Sequence, residues 1–153
     1  ICDSWQVKWT GVQYPDGPTG WEQIRVDWQP YANDCTLTDA NIYAAVDLWL
    51  ENRFKAFIQY GDISGWDVSS VRVMQSMFQN ADVFNQDIGD WDVSSVTYGE
   101  SMFYGMSGMF YGATSFNQDL SGWCVSEFSS LPSDFDTDTT AWTESKPNWG
   151  TCP

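Results

Sequence analysis

Apolar and polar residues recur in the same order along the middle of the chain. Trp66 and Trp91 lie 25 residues apart, and each is followed by Asp-Val-Ser-Ser. A third copy places Trp123 32 residues after Trp91. Self-similarity at a nearly fixed period is typical of repeat architectures. The three aligned copies are residues 61–71, 86–96 and 118–126.

The longer interval before Trp123 contains a local duplication. Residues 101–105 (SMFYG) are nearly repeated by residues 108–112 (GMFYG). The additional residues are either a tandem duplication or a longer loop within one coil, and the sequence leaves both interpretations open.

The length of the repeat predicts the fold class. A repeat of 25 residues is shorter than a propeller blade or a helix-pair repeat, and it fits one coil of a leucine-rich-repeat-like solenoid. We therefore predict an α/β repeat fold, a short solenoid of about three such coils. Each coil is expected to contain a short strand, at residues 84–88 and 116–120, and a helical turn carrying Met74, Met77 and Phe78.

Stacking of the coils would place equivalent side chains in columns. Aromatic columns are typical of a hydrophobic core, and a column of asparagines can hydrogen-bond along the solenoid axis. The expected columns are Trp66, Trp91 and Trp123, then Phe84 and Phe116, then Asn85 and Asn117.

The segments on either side of the repeats complete a division into four parts. Residues 1–35 form an extension, residues 36–61 a helical N-terminal cap, residues 62–128 the repeats and residues 129–153 a C-terminal cap. Caps are expected because an open solenoid has to cover its apolar ends.

The N-terminal cap is predicted to be helical because its apolar residues recur with a helical period. Thr38 is the expected N-cap residue of the first helix. A second short helix is expected to hold Phe54, Phe57 and Ile58 and to end near Gly61. The apolar face of the first helix comprises Ile42, Ala45, Val46, Trp49 and Leu50.

Residues 1–35 have a different character. Residues 5–9 and 24–28 alternate between apolar and polar side chains, and residues 14–18 (YPDGP) between them favour a turn. The pattern predicts a β-hairpin or a pair of strands. Since a lone hairpin is only marginally stable in water, it must pack on the repeats or on another molecule.

Composition and charge exclude several classes of function. The chain has 153 residues, 6 Lys+Arg, 21 Asp+Glu and no His, which gives a formal net charge of −15. Such a charge opposes binding to nucleic acid or to anionic lipid headgroups. The absence of His excludes imidazole as a general base or a zinc ligand. No apolar run reaches the roughly 20 residues needed to span a bilayer.

The cysteines indicate the compartment. Four cysteines allow three disulfide connectivities, and we favour Cys2–Cys35 and Cys124–Cys152 because each pair brackets one terminal segment. This arrangement and the high acidity predict a secreted protein, and the alternative is four reduced thiols in a cytosolic one. The chain starts at Ile1 without a signal-peptide pattern, so either a signal was removed or this is an excised segment.

Aspartates recur at two repeat positions and form the candidate metal site. Oxygen ligands alone suit calcium, so stacked carboxylates could bind that cation along one edge. Alternatively, each Asp accepts backbone N–H groups in an Asx-type turn. The first position comprises Asp62, Asp87 and Asp119, and the second comprises Asp67 and Asp92. No other cofactor is indicated.

The sequence contains no recognisable set of catalytic residues, and we predict that the protein is not an enzyme. Ser and Thr are plentiful, but no residue is recognisable as a general base that would activate their hydroxyls. No glycine-rich phosphate loop is present either. Aromatic side chains could instead bind sugar faces, or they could simply pack in the core and caps. The candidate sugar-binding residues are Trp5, Trp9, Trp21 and Trp28, with Trp142 and Trp149 as weaker ones. Residues 129–143 could also carry O-linked sugars.

The repeated motifs resemble the BspA-like leucine-rich-repeat surface proteins. The similarity is greatest to the branch described in mycoplasma lipoproteins and abundant in algae and marine microbes. It covers roughly residues 36–153, leaving residues 1–35 outside, and the insertion before residue 109 departs from the regular coil. The matching residues are 37–42, 66–69, 74–78, 84–87, 91–94, 109–110, 116–119 and 146–153. The resemblance implies a secreted or cell-surface adhesion and scaffolding protein, and it brings no catalytic residues.

Two functions are therefore expected. The first is a non-enzymatic secreted or cell-surface structural or adhesion protein that displays a rigid surface. It could be a subunit of an extracellular filament, in which residues 1–35 dock on the next copy of the chain. The alternative is a glycan-binding module that uses exposed Trp and Tyr side chains. The expected partners are the protein itself, or an extracellular protein or glycan.

Overall fold

A computed structural model describes residues 36–97 and 105–153 of the chain. Helix α1 (Ile42–Glu51) is followed by helix α2 (Arg53–Tyr60) and by a short 3₁₀ helix, Ile63–Gly65. A single parallel β-bridge joins Thr38 to Ser70 within these ranges, and no longer strand is present there.

Helix α1 has the predicted apolar face, although it begins later than expected. Ile42, Ala45, Val46 and Trp49 are buried, whereas Leu50 is 38% exposed. Asn41, and not Thr38, directly precedes α1, so the expected N-cap position is wrong by one turn. Thr38 instead begins the preceding turn, where its Oγ1 accepts the Ala40 N–H at 3.3 Å and its carbonyl accepts the Ile42 N–H at 3.0 Å. It also bridges Ser70.

Helix α2 is present as predicted, and it buries a single small residue. Asn52 interrupts the two helices with a non-helical backbone, and its side chain accepts a hydrogen bond from the Lys55 N–H. Ala56 is the buried residue of α2, whereas Phe54 and Phe57 are exposed. The predicted helix therefore holds both phenylalanines and ends at Gly61 as expected, and it leaves their rings outside the core.

The helices pack on the first coil of the repeat. Trp49 meets Trp66 edge-on at 5.8 Å between ring centroids. Asp39 Oδ1 accepts the N–H groups of Arg72 and Val73 at 2.7 and 3.1 Å. The helical segment therefore covers the aromatic column at its N-terminal end.

The residues predicted to form a helical turn instead make consecutive turns. The Met77 N–H donates to the Met74 carbonyl, and Ser76 and Asn80 adopt positive φ angles of 53° and 57°. This backbone leaves alternate N–H groups free to bond across to the next coil. The donor–acceptor pairs are Met74–Gly105, Ser76–Ser107, Phe78–Met109 and Asn80–Tyr111.

The expectation of strands at residues 84–88 and 116–120 is also wrong, because side chains provide most of the lateral hydrogen bonds there. Asn85 Oδ1 accepts the N–H of Asn117 at 2.9 Å. Asn117 Oδ1 in turn accepts the Thr143 N–H at 2.6 Å. The predicted asparagine column is thus present and links neighbouring segments without a continuous backbone ladder.

Aromatic rings of successive copies stack as the repeat predicts. Trp66 and Trp91 lie 6.4 Å apart at an interplanar angle of 11°, and Phe84 and Phe116 lie 5.8 Å apart at 3°. The indoles of Trp91 and Trp123 also donate to the preceding copy. Trp91 Nε1 reaches the Ile63 carbonyl at 2.8 Å, and Trp123 Nε1 reaches the Ile88 carbonyl at 3.0 Å.

The C-terminal segment, residues 129–153, adds a further layer on the last copy. The N–H groups of Gly108, Phe110 and Gly112 donate to the carbonyls of Ser133, Phe135 and Thr137. Trp142 packs edge-on against Phe116 at 4.8 Å between ring centroids. The segment therefore covers the aromatic core in register with the copies before it.

Gly89 lies where two copies approach each other closely. A Cβ at this position would lie 2.6 Å from the Asp119 carbonyl oxygen, which belongs to the neighbouring backbone. We expect Gly89→Ala to lower the free energy of unfolding by about 2 kcal/mol, since overpacking forces backbone shifts. Urea denaturation measures the change.

Gly122→Ala is the matched control for this prediction. The nearest atom to its added Cβ is the Gly89 carbonyl oxygen at 3.6 Å, an ordinary contact. Equal losses in the two variants would mean that the close approach at Gly89 does not limit packing.

Candidate interaction surface

The aspartates predicted to bind calcium each close a local turn. Asp67 Oδ1 accepts both the N–H and the hydroxyl of Ser69, at 3.1 and 2.6 Å, and Asp92 does the same with Ser94. Asp62 likewise accepts from Ser64. The same turn recurs for Asp87 with Gly89 and for Asp119 with Ser121.

These turns favour the alternative interpretation over a calcium-binding edge. Across the described residues, no three His, Cys, Asp or Glu side chains form a group that could hold a metal ion. The alternative interpretation, an Asx-type turn at each aspartate, is confirmed. A serine two residues after the Asp is the sequence signal for it.

Hydrogen bonding shifts the ionisation of two of these aspartates. The side chain and N–H of Ser69 hold the pKa of Asp67 below its ordinary value, and Ser121 does the same for the pKa of Asp119. Because the pKa is lowered in the folded chain, the associated stabilisation is present above the ordinary aspartate pKa. It is lost as the pH falls through the folded value.

We expect Ser69→Ala to raise the pKa of Asp67 toward the ordinary aspartate value, because the hydroxyl donor is removed. Carboxyl carbon chemical shifts followed during an NMR pH titration measure the change. Ser94→Ala is the control, since its hydroxyl donates to Asp92 and should leave the Asp67 titration unchanged. An unaltered Asp67 pKa in Ser69→Ala would contradict the assigned cause.

The cysteine predictions have two outcomes. Cys124 and Cys152 form a disulfide, as predicted. Cys2 and Cys35 lie outside the described residues, so their pairing stays a prediction.

The tryptophans proposed as sugar platforms also divide into two groups. Trp5, Trp9, Trp21 and Trp28 lie outside the described residues. Of the weaker candidates, Trp142 is only 7% exposed and its Nε1 donates to the Gln118 carbonyl at 3.0 Å, which disfavours it as a sugar platform. Trp149 is half-buried against Phe128 and Phe135.

Helix α2 presents an apolar surface that the sequence pattern did not predict. Phe54 is 69% exposed and Phe57 is 53% exposed, and they lie one helical turn apart on the same side of α2. The other phenylalanines of the described residues are buried. Leu50, in the last turn of α1, is also exposed. We call Leu50, Phe54 and Phe57 the α2 patch.

A family model described as "Mycoplasma protein of unknown function, DUF285" matches residues 50–149, about two thirds of the chain. The chain belongs to the DUF285 family. No curated protein matches the chain. No solved structure matches it either. The DUF285 match begins at Leu50 and therefore includes the whole α2 patch, whereas residues 1–35 lie outside it.

Two basic residues, Arg53 and Lys55, lie beside Phe54 in the α2 patch of this DUF285 chain, and Glu51 lies next to Leu50. Arg53 lies over the Trp49 ring, 5.1 Å from its centroid, and donates to Gln86 Oε1 at 2.5 Å. Lys55 is exposed on the same helix. The other exposed large apolar side chains in the described ranges, Val83 and Leu131, lie outside α1 and α2.

The helices of the described ranges are short. None of them is long and apolar enough to cross a lipid bilayer.

Proposed function

We propose that this DUF285 protein is a non-enzymatic structural or adhesion protein, secreted or held at a cell surface. In this proposal it is a short leucine-rich-repeat-like solenoid of the BspA-like type, and its mechanism is the display of a rigid surface. The observation that carries the proposal is the register of successive copies. Ring stacking and lateral hydrogen bonds recur between equivalent positions, as in Trp66–Trp91 and Asn85–Asn117.

Several features support an extracellular setting and a display role. The Cys124–Cys152 disulfide is a bond that persists in oxidising compartments. A net charge of −15 favours solubility and disfavours non-specific contact with other acidic surfaces. The side chains around the aromatic columns are largely committed to turns and lateral bonds, which suits a scaffold whose shape has to persist.

Assembly into a head-to-tail filament is a finer form of the same proposal. It requires residues 1–35 of one copy to dock on the next copy, a heterologous contact that does not close on itself. The glycan-binding alternative depends on Trp5, Trp9, Trp21 and Trp28. It draws no support from the indoles of the described residues, which pack in the core or against it.

Two measurements test the proposal. Antibody labelling of unpermeabilised source cells and of their medium should find the chain outside the cytoplasm. Beads coated with the folded chain should bind to those cells or to their extracellular matrix, and beads coated with heat-unfolded chain should not. Exclusively cytoplasmic labelling would overturn the proposal, as would equal retention of both kinds of bead.

Negative-stain electron microscopy then addresses the filament. Ordered filaments at micromolar concentration would support head-to-tail assembly. Isolated particles would restrict the proposal to a monomeric display or adhesion module.

A further inference from the structure

The exposed apolar surface of the α2 patch favours a partner that covers it. Burial of a phenylalanine side chain stabilises by roughly 1.5–3 kcal/mol relative to leaving it in water. Phe54 and Phe57 are adjacent on one helical turn, so a single partner can cover both. Val83 and Leu131 are separate exposed apolar residues of the kind found on any soluble protein.

We propose that residues 1–35 of the same chain cover the α2 patch. The first support is the tether, the covalent connection of residues 1–35 to residue 36. Residues 36–38 lie against the first coil, because the Leu37 N–H donates to the Asp67 carbonyl and Thr38 bridges Ser70. Helix α1 has 10 residues and is therefore about 15 Å long, with Leu50 in its last turn. A chain that extends about 3.3 Å per residue covers this distance with a small part of its 35 residues.

The second support is chemical complementarity. Alternation within residues 5–9 and 24–28 gives two short stretches with one apolar side each, and such stretches need an apolar surface to pack on. The segment contains five acidic and two basic residues, and Arg53 and Lys55 lie on either side of Phe54, with Glu51 the acidic residue next to Leu50. The segment and the patch therefore match in hydrophobicity, and the acidic segment suits the two basic residues beside Phe54.

The third support concerns which copy provides the segment. A short tether holds its own segment near the patch at an effective concentration on the order of millimolar. A second copy at micromolar concentration competes poorly against it. The segment therefore covers the patch of its own chain, and filament formation requires it to be exchanged between copies.

Amine cross-linking tests the proposal directly, because the chain has only three lysines: Lys8 in the segment, Lys55 beside the patch and Lys146 near the C-terminus. The full-length oxidised protein is prepared in ¹⁴N and ¹⁵N forms, mixed, treated with a short amine-reactive cross-linker and digested. We expect Lys8–Lys55 peptides in which both halves carry the same isotope. Mixed-isotope Lys8–Lys55 peptides would overturn the assignment to the same chain, and dominant Lys8–Lys146 peptides would overturn the assignment to the patch.

Matched variants separate docking from chance proximity along the tether. Phe54→Ser/Phe57→Ser should lower the yield of the Lys8–Lys55 product about tenfold, since the burial of two rings is lost. Phe54→Leu/Phe57→Leu should largely restore the yield. Leu131→Ser replaces an exposed apolar residue outside α1 and α2 and should leave it unchanged. Equal yields in the serine patch variant and the wild type would overturn the proposal, and thermal melts verify that each variant is folded.

Discussion

Replacing Phe110 with alanine is expected to lower the free energy of unfolding by about 4 kcal/mol, the largest effect of any single substitution proposed for this protein. The ring is fully buried and stands where the aromatic columns converge. It lies 4.2 Å from the Phe116 ring and 5.5 Å from the Phe78 ring, measured between centroids. It also contacts Trp123, Phe135 and Trp142. Alanine would leave a cavity and remove ring contacts with the preceding copy, with its own copy and with the C-terminal segment.

Denaturation in urea, followed by Trp fluorescence, measures this loss. Phe110→Leu should cost much less, because most of the volume is kept. Val83→Ala is the control for removing apolar atoms at an exposed site, since Val83 is 80% exposed and should change stability by less than about 0.5 kcal/mol. A loss below about 1 kcal/mol in Phe110→Ala would mean that the columns are not the main source of stability.

The aromatic core was predictable because the repeat itself encodes which side chains are equivalent. Once Trp66 is aligned with Trp91, stacking of successive copies fixes their contact, and the same holds for Phe84 and Phe116. The asparagine column followed from the same alignment. These predictions needed only the period and the identity of the residues.

The local backbone was not predictable in the same way. Met74, Met77 and Phe78 have the spacing of a helical face, yet consecutive turns also bury residues at that spacing. Consecutive turns form here instead of a helix because Ser76 and Asn80 adopt positive φ angles. In addition, N–H groups of this segment donate to carbonyls in the next copy. The spacing of apolar residues within one segment gives no information about such long-range hydrogen bonds.

The α2 patch was missed for a related reason. Apolar periodicity places Phe54 and Phe57 on a helical face, but it does not say whether that face is covered. The non-helical backbone at Asn52 separates α2 from α1, and Ala56 becomes the residue that α2 buries. The Asx-type turns, in contrast, could have been predicted more firmly from the sequence. A Ser two residues after an Asp favours such a turn, and this spacing occurs at Asp62, Asp67, Asp92 and Asp119.

Removal of the Cys124–Cys152 disulfide is expected to have the second largest effect. The two cysteines are 28 residues apart, and the chain-entropy model gives about 3–4 kcal/mol for a loop of this size. The bond fastens the segment that covers the last copy, where the Val125 N–H donates to the Thr151 carbonyl at 2.8 Å. Cys124→Ala/Cys152→Ala should therefore unfold at a markedly lower urea concentration than the oxidised wild type.

The double variant avoids the unpaired thiol that a single substitution would leave, and it also separates this bond from the other cysteines. Treating the double variant with a reducing agent reports whatever Cys2 and Cys35 contribute, because those are then its only thiols. If the Cys124–Cys152 bond stabilises chiefly by closing a loop in the unfolded chain, the folding rate of the variant should fall more than its unfolding rate rises. A variant that instead unfolds much faster, with an unchanged folding rate, would show that the bond acts by holding the C-terminal segment on the folded core.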